Sequence, residues 1–269
     1  MHPILFKIGP LTFYSYGLML LIAYFVSSSL AVRYTSLSQA KIQSDQLLNL
    51  FFFSLIGGIL GARFMYIVLN WSFYAVNPSQ IIRFDHGGLV WYGGFLGGLL
   101  TALCYLRIKK LPFLETADLV SPYLVLAHSI GRVGCFLNGC CFGKPTNSIF
   151  GIYFPLRQDH IDMIKQYYYS DNDAVYRSIQ LGLIRLHPTQ LYSLTALFLI
   201  FLLLKSWRKY KTFDGELSLA YLLLYSIWRF GIEFLRGDNL AVWNGLTLAQ
   251  VISIPVAIVS GLLLYRFRR

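Results

Sequence analysis

The feature that most constrains this chain is a succession of apolar runs, each near the ~20 residues that carry a helix across the hydrocarbon of a bilayer. They fall at 12–32, 47–69, 88–106, 119–138, 190–207, 217–235 and 247–265. Across the 269 residues, 56% are hydrophobic and 13% charged, about half the ~25% charge of an ordinary soluble domain. No single soluble core can hide that much apolar surface. The expectation is an all-α membrane protein, one transmembrane domain over 1–269 with about seven transmembrane helices. Polar residues interrupt the fourth and sixth runs, which makes these the least regular.

Lys and Arg in the short connections set the orientation. One set carries Arg33 and Lys41, Arg107, Lys109 and Lys110, Lys205, Arg208, Lys209 and Lys211, and finally Arg266, Arg268 and Arg269. The opposite set carries only Lys7, Arg83 and Arg236. The N-terminus is therefore predicted outside and the C-terminus in the cytoplasm, in a multi-pass membrane protein. The formal charge of +11 suits basic loops against anionic lipid. No basic, aromatic-interleaved soluble module is present, so no nucleic-acid partner is expected. The polar segment 144–186 reads as an extracytoplasmic insertion. Its middle, 159–176, is either a short amphipathic helix with Tyr167, Tyr168 and Tyr169 at the head groups or a plain connection.

Glycines four apart, Gly57/Gly61, Gly93/Gly97 and Gly94/Gly98, predict helices in close contact. Intramembrane polar residues are costly, yet here they gather in one half of the bilayer. With the predicted orientation, Tyr16, Arg63, Tyr92, Arg132, Asn138 and His187-Pro-Thr-Gln190 all fall in or beside the outer half. So do Tyr225, Arg229 and Glu233, which recur every four residues and share one helix face, with Arg236 following. Asp85 and His86 stand just outside the third run. The pattern predicts a cationic cavity open to the outer leaflet or to the outer water. Planar guanidinium groups suit bidentate phosphate recognition, so an anionic lipid head group is the natural ligand. Arg229 and Glu233 could also simply neutralise each other. His128 reads as a satisfied interhelical hydrogen-bonding group and Cys104 as packing. Cys135, Cys140 and Cys141 read as packing residues, a thiol redox site or soft metal ligands. Their C-x4-C-C spacing matches no familiar metal template, so no metal and no cofactor are expected.

Several motifs, in order, span nearly the whole chain: Tyr16-Gly-Leu-Met, the Gly-Gly-x-x-x-Tyr-Gly-Gly run ending at Gly94, GRVGCFLNGCCFG at 131–143, His187-Pro-Thr-Gln-Leu-Tyr192, and the Tyr225 to Arg236 stretch. In these the chain resembles the bacterial prolipoprotein diacylglyceryl transferases. The resemblance implies a seven-helix membrane enzyme that moves a diacylglyceryl group from phosphatidylglycerol to the lipobox cysteine thiol of a prolipoprotein signal peptide. Glycerol 1-phosphate is released, and lipoprotein maturation begins. It also implies that Arg132 binds lipid and that Tyr16, Asn138, Tyr225, Arg229 and Glu233 belong to the site. Cys135 stands where the family signature has Asn, Cys140 where it has Glu, and Tyr92 where proteobacterial members carry a histidine.

The reaction needs a deprotonated thiol and a stabilised leaving phosphate. The expected catalytic set is Arg132, Arg229, Glu233, Tyr92 and Tyr225, with Arg132 and Arg229 clamping phosphate and Glu233 orienting Arg229. The expected substrate-binding set is Arg132, Asn138, Tyr16, Arg63, His187, Gln190 and Arg236. Tyr92, His86 and His187 are the candidates to accept the thiol proton. A lipid or anion transporter with the same cationic outer cavity is the alternative. A thiol oxidoreductase using Cys140 and Cys141 is a further one.

Overall fold

The computed structural model describes residues 2–9, 11–38, 40–82, 88–154, 185–239 and 241–269. Hairpin strands β1 (Ile4–Ile8) and β2 (Leu11–Tyr14) lead into helix α1 (Ser15–Leu37). Then come α2 (Ser44–Leu69), the short α3 (Trp71–Val76) and a 3₁₀ turn at Pro78–Ile82. Next are α4 (Trp91–Ile108), α5 (Phe113–Asn138), and the paired β3 (Ile152–Tyr153) and β4 (Arg185–Leu186). Helices α6 (Thr189–Trp207) and α7 (Glu216–Glu233) follow. The hairpin β5 (Ala241–Trp243) and β6 (Leu246–Thr247) then leads into α8 (Leu248–Arg268).

A long helix thus occupies each of the expected apolar runs. Five are long and apolar enough to cross a membrane: α1, α2, α5, α6 with its 3₁₀ extension to Tyr210, and α8. In α4, four glycines and Arg107 dilute the apolar content, and α7 carries Glu216, Arg229 and Glu233. The fifth helix, expected to be among the least regular, is within the set of five, and α4 takes its place outside it. Large apolar side chains face outward along these helices, as in Leu60 at 60% and Phe64 at 66% exposure. That is the pattern of helices whose solvent is lipid.

The chain forms two compact units, Ser28–Thr116 and Met1–Ser27 with Ala117–Arg269. In the first, α2 and α4 meet backbone to backbone. A Cβ added to Gly61 would lie 2.4 Å from the Gly93 carbonyl, and one added to Gly97 2.3 Å from the Gly57 carbonyl. The four-residue glycine spacing is therefore what brings the two helices together. Arg63, 5% exposed, donates to the carbonyls of Gln80 (2.8 Å), Ile81 (3.1 Å) and Gly88 (3.3 Å). It thereby holds the connection between α3 and α4.

In the second unit α8 packs along α7. Thr247 caps α8 and exchanges hydrogen bonds with Gln250, whose side chain accepts from the Thr247 amide at 3.0 Å. The start of α7 is clasped by Asp118 of α5, which accepts from the amides of Gly215 (2.7 Å) and Ser218 (2.9 Å). A carboxylate at a helix N-terminus opposes the helix dipole and satisfies amides that lack an intrahelical partner. Gly215 reaches this turn at φ +99°. The proposed helix at 159–176, with Tyr167, Tyr168 and Tyr169, lies outside the described residues.

Candidate active site

The signature stretch 131–143 begins inside α5 and ends in a turn. Gly139 (φ +77°) and Cys141 (φ +61°) both adopt the left-handed conformation. Glycine does so freely, whereas a residue with a side chain does so at a cost of roughly 1–2 kcal/mol. Neighbouring segments hold the turn. Thr189 Oγ1 donates to the Cys141 carbonyl at 2.6 Å, and Gln190 Nε2 to the Cys140 carbonyl at 2.7 Å. Gly143 donates to the His187 carbonyl at 2.9 Å, Lys144 to the Leu235 carbonyl at 2.8 Å, and Gly237 to the Phe142 carbonyl at 3.2 Å. The exit of α5 is thus strapped between the entrance of α6 and the exit of α7. This is the structural use of the His-Pro-Thr-Gln motif: Thr189 and Gln190 are buried and bonded to the signature turn.

Arg132 projects from α5 one turn after His128. Its Nη2 donates to His128 Nε2 at 3.0 Å. A guanidinium cannot accept, so Nε2 carries the lone pair and Nδ1 the proton. His128 was expected to bond another helix, but its partner lies on its own. The Tyr225 ring sits 5.2 Å from the His128 ring, and Tyr221 lies 5.9 Å from Tyr225. Arg132 Nε is buried with no hydrogen-bond partner among the described residues. Arg229 is near enough to Arg132 to feel its charge.

Glu233 is 3% exposed. Its Oε2 meets Arg229 Nη1 at 2.5 Å. Its Oε1 accepts from Asn239 Nδ2 at 2.5 Å and from Thr247 Oγ1 at 2.8 Å. One carboxylate therefore orients Arg229 and ties both ends of the β5–β6 segment to α7. Arg236 grips Asp238 through two bonds, at 2.9 and 2.7 Å. Burial opposes its charge, but Asp238 outweighs burial and raises the Arg236 pKa above the ordinary guanidinium value. Its fork is thus occupied within the protein.

Tyr16 packs where α1 passes α5; a Cβ on Gly134 would lie 3.1 Å from Tyr16 Cδ2. Asn138 is the last residue of α5, two positions before Cys140, whose thiol faces the Cys135 carbonyl at 3.7 Å. His187 Nδ1 lies 3.3 Å from the Tyr192 hydroxyl, and burial pushes its pKa below the ordinary histidine value. Tyr92, in the other unit, is 59% exposed, with its ring edge-on to Trp91 at 5.2 Å. Asp85 and His86 lie outside the described residues. The structure thus gathers Arg132, Arg229, Glu233, Tyr225, Tyr16, Asn138, His187, Gln190 and Arg236 in one unit, with Arg63 and Tyr92 in the other. Sequence reasoning missed Asp238, Asn239 and Thr247. Only the Asp two residues after Arg236 offered a signal, as a local partner for that charge.

Fold and site together define a multi-pass helical membrane protein with a half-buried cluster of cationic groups, suited to an anionic ligand. The family model described as prolipoprotein diacylglyceryl transferase matches residues 3–266. Among curated relatives, the phosphatidylglycerol–prolipoprotein diacylglyceryl transferase of Staphylococcus haemolyticus is 33% identical over 271 residues, covering 99% of this chain and 88% of that protein. The protein of that name from Nostoc sp. PCC 7120 is 34% identical, covering 94% and 84%. That from Clostridioides difficile is 35% identical, covering 92% and 88%. The chain belongs to the prolipoprotein diacylglyceryl transferase family.

Proposed function

We propose that this protein transfers the diacylglyceryl group of phosphatidylglycerol to the lipobox cysteine thiol of a prolipoprotein, releasing glycerol 1-phosphate. Helices α1, α2 and α4 to α8 cross the bacterial cytoplasmic membrane, with the N-terminus outside, the C-terminus in the cytoplasm and 144–186 as an extracytoplasmic insertion in a single transmembrane domain. Family membership supports the activity. Among the site observations, the one that carries the reading is Arg132, whose buried Nε has no hydrogen-bond partner among the described residues and whose other end is fixed by His128.

In this reading Arg132 Nε and its neighbouring N–H groups receive the lipid phosphate, with Arg229 beside it. The leaving phosphate gains charge as the carbon–oxygen bond breaks, and fixed donors in a dry site stabilise that charge with little reorganisation. Glu233 keeps Arg229 aimed, while the Tyr225 ring braces the imidazole that aims Arg132. Tyr16 and Asn138 line the same exit of α5, and Gln190 and His187 hold the turn after it. Arg236 supports the loop through Asp238. Arg63 and Tyr92 serve the unit Ser28–Thr116, Arg63 as the anchor of the segment that leads into α4.

The test is purified protein in liposomes with phosphatidylglycerol and a lipobox peptide bearing one cysteine. The expected result is a diacylglyceryl mass gain on the peptide with release of glycerol phosphate, both abolished in Arg132→Ala. Lipid movement across the bilayer without either product would overturn the reading in favour of transport.

A further inference from the structure

The sulfur atoms of Cys135, Cys140 and Cys141 all lie within 4.8 Å of one another, and all three thiols are free. Among the described residues this is the one group of His, Cys, Asp or Glu side chains so placed. Their spacing in the chain resembles no metal motif, because the convergence is made by backbone turns. Cys135 sits in the last turn of α5, and the left-handed residues Gly139 and Cys141 fold the chain back over it. Sulfurs around a tetrahedral zinc, with Zn–S bonds of ~2.3 Å, are about 3.8 Å apart. Drawing three sulfurs together from within 4.8 Å shortens each separation by about 1 Å or less.

Two further observations point to a ligand here. Gln190 is 1% exposed, its Nε2 holds the Cys140 carbonyl, and its Oε1 has no hydrogen-bond partner among the described residues. Arg132, whose buried Nε has no hydrogen-bond partner among the described residues, stands three residues before Cys135 on α5, and residues three apart share a helix face. Three thiolates with one divalent cation carry a net charge of −1, which that guanidinium complements.

Among the described residues, the His128 lone pair is held by Arg132 and the Glu233 oxygens by Arg229, Asn239 and Thr247, so neither is free to take the thiol proton. A thiol has a pKa near ~8.5 and needs help to become a nucleophile. We propose that Cys135, Cys140 and Cys141 bind one zinc ion, and that its fourth position takes the lipobox thiol of the incoming prolipoprotein. This rests on the transferase reading above. Zinc held by three protein ligands keeps such an open position, and a coordinated thiol loses its proton. The released proton passes to water. The zinc-held sulfur then forms a bond to the glyceryl carbon, and the bond from that carbon to the phosphate oxygen breaks. The electron pair leaves on glycerol 1-phosphate beside Arg132. Nothing is oxidised or reduced, and the thioether, a weaker ligand than thiolate, departs.

The experiment begins with metal analysis of protein purified without chelator. About one zinc per chain is expected, lost in Cys140→Ser and Cys141→Ser and kept in Cys104→Ser. Cobalt exchanged into the wild-type protein should show thiolate-to-cobalt charge-transfer bands. A lipobox peptide with cysteine should shift them, and the same peptide with serine should not. Copper(I) in place of zinc, or a disulfide among the three cysteines of active protein, would overturn the proposal. So would full transfer by protein shown to be metal-free, which leaves the transferase reading intact. A folded, zinc-loaded protein that binds the peptide but never transfers would instead overturn the transferase reading.

Discussion

Arg132 and His128 form a 3.0 Å contact one turn apart on α5, with the imidazole as acceptor. The histidine therefore positions the cation and does not act as a base. Replacing His128 with Phe should lower kcat about tenfold, near the ~1–1.5 kcal/mol of one lost hydrogen bond. His128→Gln, which keeps an acceptor, should recover much of it. A bell-shaped pH profile that loses a limb in His128→Gln would contradict the positioning role.

Arg132→Lys keeps the charge and loses the planar fork. Turnover should fall by about 100-fold or more, the scale of removing one donor to developing charge. Steady-state transfer to a lipobox peptide checks this, and near-normal turnover would show that charge alone suffices.

Glu233 has two separable tasks. Glu233→Gln retains an acceptor for Asn239 and Thr247 but removes the charge beside Arg229. Activity should drop sharply, and the Arg229 charge left without its partner should destabilise the protein by about 3–5 kcal/mol. Glu233→Ala should lose about 1 kcal/mol more for each of the hydrogen bonds from Asn239 and Thr247. Parallel melting and activity measurements on the two variants separate the tasks.

The α2–α4 contact makes neighbouring glycines unequal. A Cβ at Gly93 would meet the Gly61 carbonyl at 2.4 Å, whereas at Gly94 its nearest neighbour is the Ala62 Cβ at 3.4 Å. Gly93→Ala should cost about 1–3 kcal/mol as overpacking against rigid backbone, and Gly94→Ala should be close to neutral. Thermal unfolding in detergent distinguishes them.

Lys211 bonds Asp214 at 2.8 Å and Asp118 at 3.0 Å. Burial lowers its pKa, but the two carboxylates outweigh burial and hold it above the ordinary value. A raised pKa in the folded state stabilises fully below the unfolded value of ~10.4 and ceases to as pH rises through the folded one. The melting temperature should therefore fall above about pH 10, and Lys211→Met should remove part of that slope while melting lower at neutral pH.

Much of the fold was legible in the chain because lipid imposes one rule, that apolar helices of bilayer length satisfy their own backbone. Seven apolar stretches, five of which form helices long and apolar enough to cross a membrane, and the glycine spacing of α2 and α4 could be read directly, as could the i,i+4 pairing of Arg229 with Glu233. The signature residues were legible as a set, since Arg132, Tyr225 and Glu233 recur in a recognisable order. What the sequence could not decide was which charges remain to meet a ligand. Arg63 is bonded to carbonyls before α4 and Arg236 to Asp238, while Arg132 keeps a buried donor unmet. Nor could the spacing of Cys135, Cys140 and Cys141 reveal their convergence. That depends on two left-handed residues, and on Thr189 and Gln190 of a different helix holding the turn they make. Periodicity and composition are local and survive in the one-dimensional chain. Hydrogen-bond partnership is settled by distance, and only the tertiary fold sets distance.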